Sequence, residues 1–150
     1  MKNIFKKEVT EEVLTRINSL KPDSKPKWGK MNVAQMLAHC NVTYEMVYDN
    51  KHEPAKGMKK FFLKLLIKGV VVSEKTYKPN GRTAPQFLIV DERVFDKEKQ
   101  RLTDYVIKTL ELGEHHFDGK DLNSFGELNK TEWNNMFYKH LDHHLNQFGL

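Results

Sequence analysis

Five prolines, Pro22, Pro26, Pro54, Pro79 and Pro85, divide the chain, and none lies inside a stretch of regular hydrophobic spacing. Proline lacks an amide hydrogen and its ring strikes the preceding turn, so these positions mark where helices stop. The segments they leave carry apolar residues every three or four positions, the spacing of one helical face. In segment 8–20 these are Val9, Val13, Ile17 and Leu20. Segment 97–112 carries Leu102, Tyr105, Val106, Thr109 and Leu110, with Asp96 placed to cap it and Gly113 to end it in the left-handed conformation. The other three are 32–49, 56–69 and 129–147.

Two helix starts are marked twice over. Asn32 precedes Gln35 by three residues and is flanked by Met31 and Met36, the pattern of a capping box with a hydrophobic staple. Asn129, Glu132, Leu128 and Trp133 repeat it. Segment 56–69 is a shorter helix with Met58, Phe61, Phe62, Leu65 and Leu66 on one side and Lys60, Lys64 and Lys68 on another. It is expected to cover the core with its apolar side and leave its lysines in water. Residues 70–90 read as a loop with short extended pieces and a turn at Lys78-Pro-Asn-Gly. Four long amphipathic helices with a long middle connection predict an all-α four-helix bundle, with a crossover element in 56–90.

At 150 residues the chain suits one domain, 1–150. Charged residues of mixed sign make up 30% and hydrophobic ones 39%, which excludes disorder as the main state. A single cysteine excludes an internal disulfide framework and predicts a reducing, cytoplasmic setting. No apolar stretch follows the first lysines, so no secretory leader is expected. The most apolar run, 61–72, is short and holds Lys64 and Lys68, so no membrane span is expected either. The net charge of +5 is spread along the chain, and no nucleic-acid partner is predicted.

The histidines carry the functional signal. With His140 as origin and about 100° per residue, Trp133 lies near 20°, His144 near 40°, Phe137 near 60° and Phe148 near 80°. His140 and His144 therefore sit inside the apolar stripe, one turn apart, close enough to share one metal ion. His143 falls at the edge of the stripe, near about −60°, which suits a rim or outer hydrogen-bonding role better than ligation. His39 faces inward with Met36, Thr43 and Met46. Two readings stand on spacing alone: core imidazoles with partnered ring nitrogens, or a metal pair completed from a facing helix. Residues 140–144, His-Leu-Asp-His-His, differ from the zincin motif, because no Glu follows the first His and Asp142 points away.

Three stretches resemble the DinB-like superfamily: Trp-Gly-Lys-Met-Asn-Val-Ala-Gln-Met-Leu-Ala-His-Cys (28–40), Phe-Gly-Glu-Leu-Asn-Lys-Thr-Glu-Trp (125–133) and Lys-His-Leu-Asp-His-His-Leu-Asn-Gln-Phe-Gly (139–149). The resemblance covers most of the chain and is strongest to a branch of bacterial proteins of unassigned function. It implies a bundle of up-down-down-up topology, and a divalent metal held by His39, His140 and His144. Relatives often carry a His-Pro pair before the Phe-Gly, whereas this chain has Leu122-Asn123 near that place.

Three imidazoles leave an open coordination position, and all-imidazole ligation favours zinc or nickel. By resemblance, the expected activity is thiol-dependent S-transfer, in which a low-molecular-weight thiol attacks an electrophilic small-molecule substrate. The alternatives are a metal-dependent hydrolase and a non-catalytic metal- or ligand-binding stress-response bundle. Cys40 is adjacent to His39 but about 100° around the helix from it, so it reads as an inert buried thiol. His115, His116 and His52 read as exposed loop residues. Should the apolar residues of 56–69 stay exposed, a homodimer is their expected use.

Overall fold

A computed structural model of the protein describes residues 1–49, 51–53, 55–122 and 125–150. Pro54 and Asn123, on which two of the sequence readings touch, lie outside the described residues. The chain is mostly helical. Among the described residues, strand is limited to one antiparallel pair, β1 (Asp121–Leu122) and β2 (Gly126–Glu127), which the sequence reading did not anticipate.

Helix α1 spans Lys7–Ser19 and buries Thr10, Val13 and Ile17, with Leu20 closing its end. Helix α2 spans Val33–Tyr44 and continues through a wider π turn, Glu45–Asp49. Helix α6 spans Lys130–Gln147. Both expected capping boxes form: the Asn32 side chain accepts from the Gln35 amide and the Asn129 side chain from the Glu132 amide, each at 2.9–3.0 Å. The Gln35 and Glu132 side chains accept from the capping amides in return. Each box satisfies otherwise orphaned amides, which is why these two starts are legible locally.

Helix α5 departs from expectation at both ends. It spans Phe95–Phe117, starting behind Val94, so Asp96 lies inside the first turn. There its carboxylate faces the positive end of the helix dipole without capping it. Gly113, at φ 71° and ψ 166°, breaks the helix, but one more turn carries the chain to Phe117. Burial of the Phe117 ring against Trp133 and Phe137, with centroids 5.4 Å away, holds that turn in place. His115 and His116 are exposed as expected, though on this turn and not in a loop. His52 is only half-exposed, because its Nε2 lies 2.8 Å from the Glu45 carboxylate.

The four long helices share one core. Helix α2 packs along α5 and against α6, and α1 packs against α5 and α6. Tyr44 of α2 stacks on Phe137 of α6 at 5.2 Å and on Tyr105 of α5 at 5.5 Å, so one aromatic column ties three helices. Buried Asn41 donates to both the backbone carbonyl and the carboxylate of Glu98, fixing α2 lengthwise on α5. Buried amides and carboxylates are stable only when so partnered.

The crossover reverses the expected orientation. It runs as α3 (Gly57–Phe62), a π turn (Leu63–Ile67) and α4 (Lys68–Val72). Met58, Phe61, Phe62, Leu65 and Leu66 face outward, 49–74% exposed. Two of the lysines reach the protein instead: Lys60 pairs with Asp121 at 3.9 Å, and Lys68 pairs with Glu132 at 3.2 Å and donates to the Glu127 carbonyl, while Lys64 stays exposed. The orientation follows from the acceptors around β1, β2 and the start of α6, which the spacing of the helix itself does not record. Beyond Val72 the chain is largely irregular, with a turn at Pro79 and Asn80 and a short 3-10 turn, Pro85–Phe87. The short extended pieces expected in 70–90 do not form strands there.

Candidate metal centre

His39 projects from the middle of α2, and His140 and His144 project from consecutive turns of α6. Their ring centroids lie 5.0 Å (His39 to His140), 4.5 Å (His39 to His144) and 4.8 Å (His140 to His144) apart. One ring nitrogen from each falls within 4.8 Å of the others, so the three together can hold a metal ion. His39 and His144 are buried, and His140 as a residue is half-buried.

The remaining ring nitrogens decide what the cluster presents. His39 Nδ1 donates to the Phe87 carbonyl at 2.8 Å, which leaves Nε2 as a bare lone pair. His144 Nδ1 lies 2.8 Å from Gln147 Oε1. The Gln147 amide is oriented unambiguously, because its Nε2 donates to the Trp28 carbonyl at 2.7 Å. His144 Nδ1 is therefore protonated and its Nε2 is free. His140 Nδ1 meets the Thr43 hydroxyl at 2.9 Å, a group able to donate or accept. His140 Nε2 lies 3.0 Å from His39 Nε2. Two lone pairs at that distance repel, so a shared proton or a cation belongs between them. The donor set fits a divalent transition ion: three imidazoles, with the far nitrogen of each held by an oxygen.

Burial sets the electrostatics. It lowers the pKa of His39 and drives that of His140 well below the usual imidazole range, and the neighbouring imidazoles lower His140 further. His144 falls to about 3 for the same reasons. All three rings are therefore neutral at physiological pH, the form that ligates a metal.

His143 stands outside the group. Its half-buried ring packs between Trp28, at 5.8 Å, and Tyr77, at 5.6 Å. Tyr77 and Phe87 also flank His140, at 6.5 and 5.8 Å, so three aromatic rings from three irregular segments border the cluster. Asp142 is turned away and pairs with Arg16 at 2.8 Å. Cys40 is buried against Met36, and burial pushes its thiol above the usual range. It is inert, as its position on the wheel predicts.

Sequence reading did not identify the outer partners of the three rings. Thr43 and Gln147 carry a faint signal, since they stand four residues after His39 and three after His144 on the same helices. The Phe87 carbonyl carries none. Gly29 is a further hidden requirement: it sits at φ 83°, and a Cβ there would stand 2.6 Å from Gln147 Nε2. Only glycine lets the 27–29 loop lie on the amide that orients His144.

Over residues 4–149 the chain matches the family described as a protein of unknown function (DUF1569), and it belongs to that family. No curated protein and no solved structure matches it.

Proposed function

We propose that this DUF1569 chain is a metal-dependent enzyme whose ligands are His39, His140 and His144, with zinc or nickel as the ion. The observation that carries the reading is the convergence of three neutral imidazoles, two of whose Nε2 atoms are left as acceptors because Nδ1 donates to a carbonyl oxygen. The ring nitrogens turned away from the cluster are each held by an oxygen, so the Nε2 atoms are the ones turned toward one another. The DinB-like resemblance of 28–40, 125–133 and 139–149 supports the same three residues. It also supports an up-down-down-up four-helix bundle, comprising one domain, for α1, α2, α5 and α6.

The activity that suits this site best is S-transfer from a low-molecular-weight thiol to an electrophilic small molecule. When bound, the ion supplies Lewis acidity that lowers the pKa of a thiol at the open position. The protein's own groups then hold the ligands. Phe87, Thr43 and Gln147 fix the three rings, and the rings of Tyr77 and Phe87 pack beside His140. Asp142, committed to Arg16, is not available as the carboxylate base that hydrolysis would use.

Elemental analysis after metal loading tests the reading directly. We expect about one transition ion per chain, as one three-histidine site holds, and turnover of a thiol with an electrophilic probe. A folded sample with stoichiometry near zero overturns the proposal. Metal with neither thiol-dependent nor hydrolytic turnover leaves a binding protein in its place.

A further inference from the structure

We propose that Thr43 is a tautomer switch for His140, a positioning residue that lets this ring either close the cluster with its own proton or yield the same nitrogen to a metal ion. The switch presupposes the three-histidine metal site proposed above.

The three rings are held in unlike ways. His39 Nδ1 and His144 Nδ1 each face a carbonyl oxygen, of Phe87 and of the Gln147 side chain, at 2.8 Å. A carbonyl only accepts, so both rings carry their proton on Nδ1 and have one tautomer. His140 Nδ1 instead meets the buried Thr43 hydroxyl at 2.9 Å. A hydroxyl donates and accepts, so His140 alone has a partner that suits either tautomer.

The 3.0 Å contact between His39 Nε2 and His140 Nε2 sets the demand. His39 Nε2 bears no proton, so between neutral rings this is a hydrogen bond only when His140 Nε2 donates. His140 Nδ1 is then a lone pair, and the Thr43 hydroxyl donates to it. An ion between the two nitrogens demands the opposite tautomer. His140 Nε2 is bare, its ring proton stands on Nδ1, and the Thr43 oxygen accepts. The hydroxyl hydrogen then turns to the backbone carbonyl one turn back, a bond that helical threonines make readily. Thr15 and Thr109 make that bond in this chain, each at 2.8 Å. His140 loses one proton at Nε2, gains one at Nδ1 and stays uncharged. A carbonyl in place of Thr43 would forbid the first arrangement, and an N–H donor would forbid the second.

Nitrogen NMR of labelled histidine rings in the full chain, before and after zinc addition, tests the proposal. In metal-free protein we expect protons on Nδ1 of His39 and His144 and on Nε2 of His140. Zinc should move the His140 proton to Nδ1 and leave the other two where they are. In Thr43→Val the Nδ1 proton that the ion requires has no acceptor, so zinc should bind about tenfold to a hundredfold more weakly, as loss of such a partner does. Thr43→Ser keeps the hydroxyl and should retain both the affinity and the switch. His140 protonated on Nδ1 already in metal-free protein overturns the switch alone, and so does a Thr43→Val variant that binds zinc as tightly as wild type. The wild-type tautomers decide even where a variant fails to fold. A wild-type chain that takes up neither zinc nor nickel overturns the metal reading itself, and the switch with it.

Discussion

The second and sixth helices and the crossover begin from the same kind of pattern and end in opposite arrangements. In α2 and α6 the apolar stripe turns inward and carries three histidines into the core with it. In the crossover the apolar stripe turns outward, and Lys60 and Lys68 turn in. Amphipathic spacing establishes that a helix has two faces, but not which one the protein buries. For α2 and α6 that choice is reinforced by capping boxes and by long stripes that fill a core. For the sixteen residues 57–72 it is made by acceptors elsewhere in the chain, the Asp121 and Glu132 carboxylates and the Glu127 carbonyl.

The contrast can be broken most sharply at the histidines. His39→Ala, His140→Ala and His144→Ala should each abolish tight metal binding in a chelator-competition titration, while Phe61→Ala on the outer face leaves it intact. Retention of tight binding by any of the three would remove that residue from the ligand set.

The next largest effect compares one substitution in the two regions. Leu141→Ala, at 1% exposure, should cost about 2–5 kcal/mol in urea unfolding. Leu65→Ala, at 65% exposure, should stay within about 0.5 kcal/mol in dilute monomer. Equal costs would mean that the crossover is buried after all.

Acid should act on the histidine cluster. The folded pKa of His144 lies at about 3 against an ordinary value of 6.5, so the unfolded chain takes up a proton that the folded chain refuses. In metal-free protein the stability present above pH 6.5 should fall as pH drops toward that folded value, by about 3 kcal/mol at pH 4 from His144 alone. Urea midpoints measured in that window check it, and His144→Gln should flatten the slope.

The smallest changes concern the outer partners. Gln147→Leu removes the acceptor on His144 Nδ1 and should weaken metal binding by tenfold to a hundredfold, the usual range for such partners. His143→Ala should weaken it by no more than that, since its ring only borders the cluster. A larger loss for His143→Ala than for His144→Ala would mean that the register of α6 is misread.

Much of the fold is legible because its signals are local. Asn32 and Asn129 state their helix starts within three residues, and prolines fall outside every long helix described. The grouping of His39, His140 and His144 is legible for a related reason: a wheel fixes which side chains share a stripe, and the stripe fixes what meets at the core. The Phe87 carbonyl and the clearance at Gly29 depend on where loops return, which no periodicity encodes. Gly113 misleads because a glycine that ends one turn is overruled by burial of Phe117 four residues later.

Lys139 has a consequence of its own. It neighbours His140 in sequence, yet its ammonium closes the last turn of the crossover, over the ring of Tyr77 at 4.7 Å, and burial lowers its pKa to about 8. If the crossover lifted away, the ammonium would lose its bonds to the Val70 and Ser73 carbonyls and its place over Tyr77. Amides of 68–72 and of the middle of α6 should therefore share their hydrogen-exchange protection, because Lys139 bonds the two together.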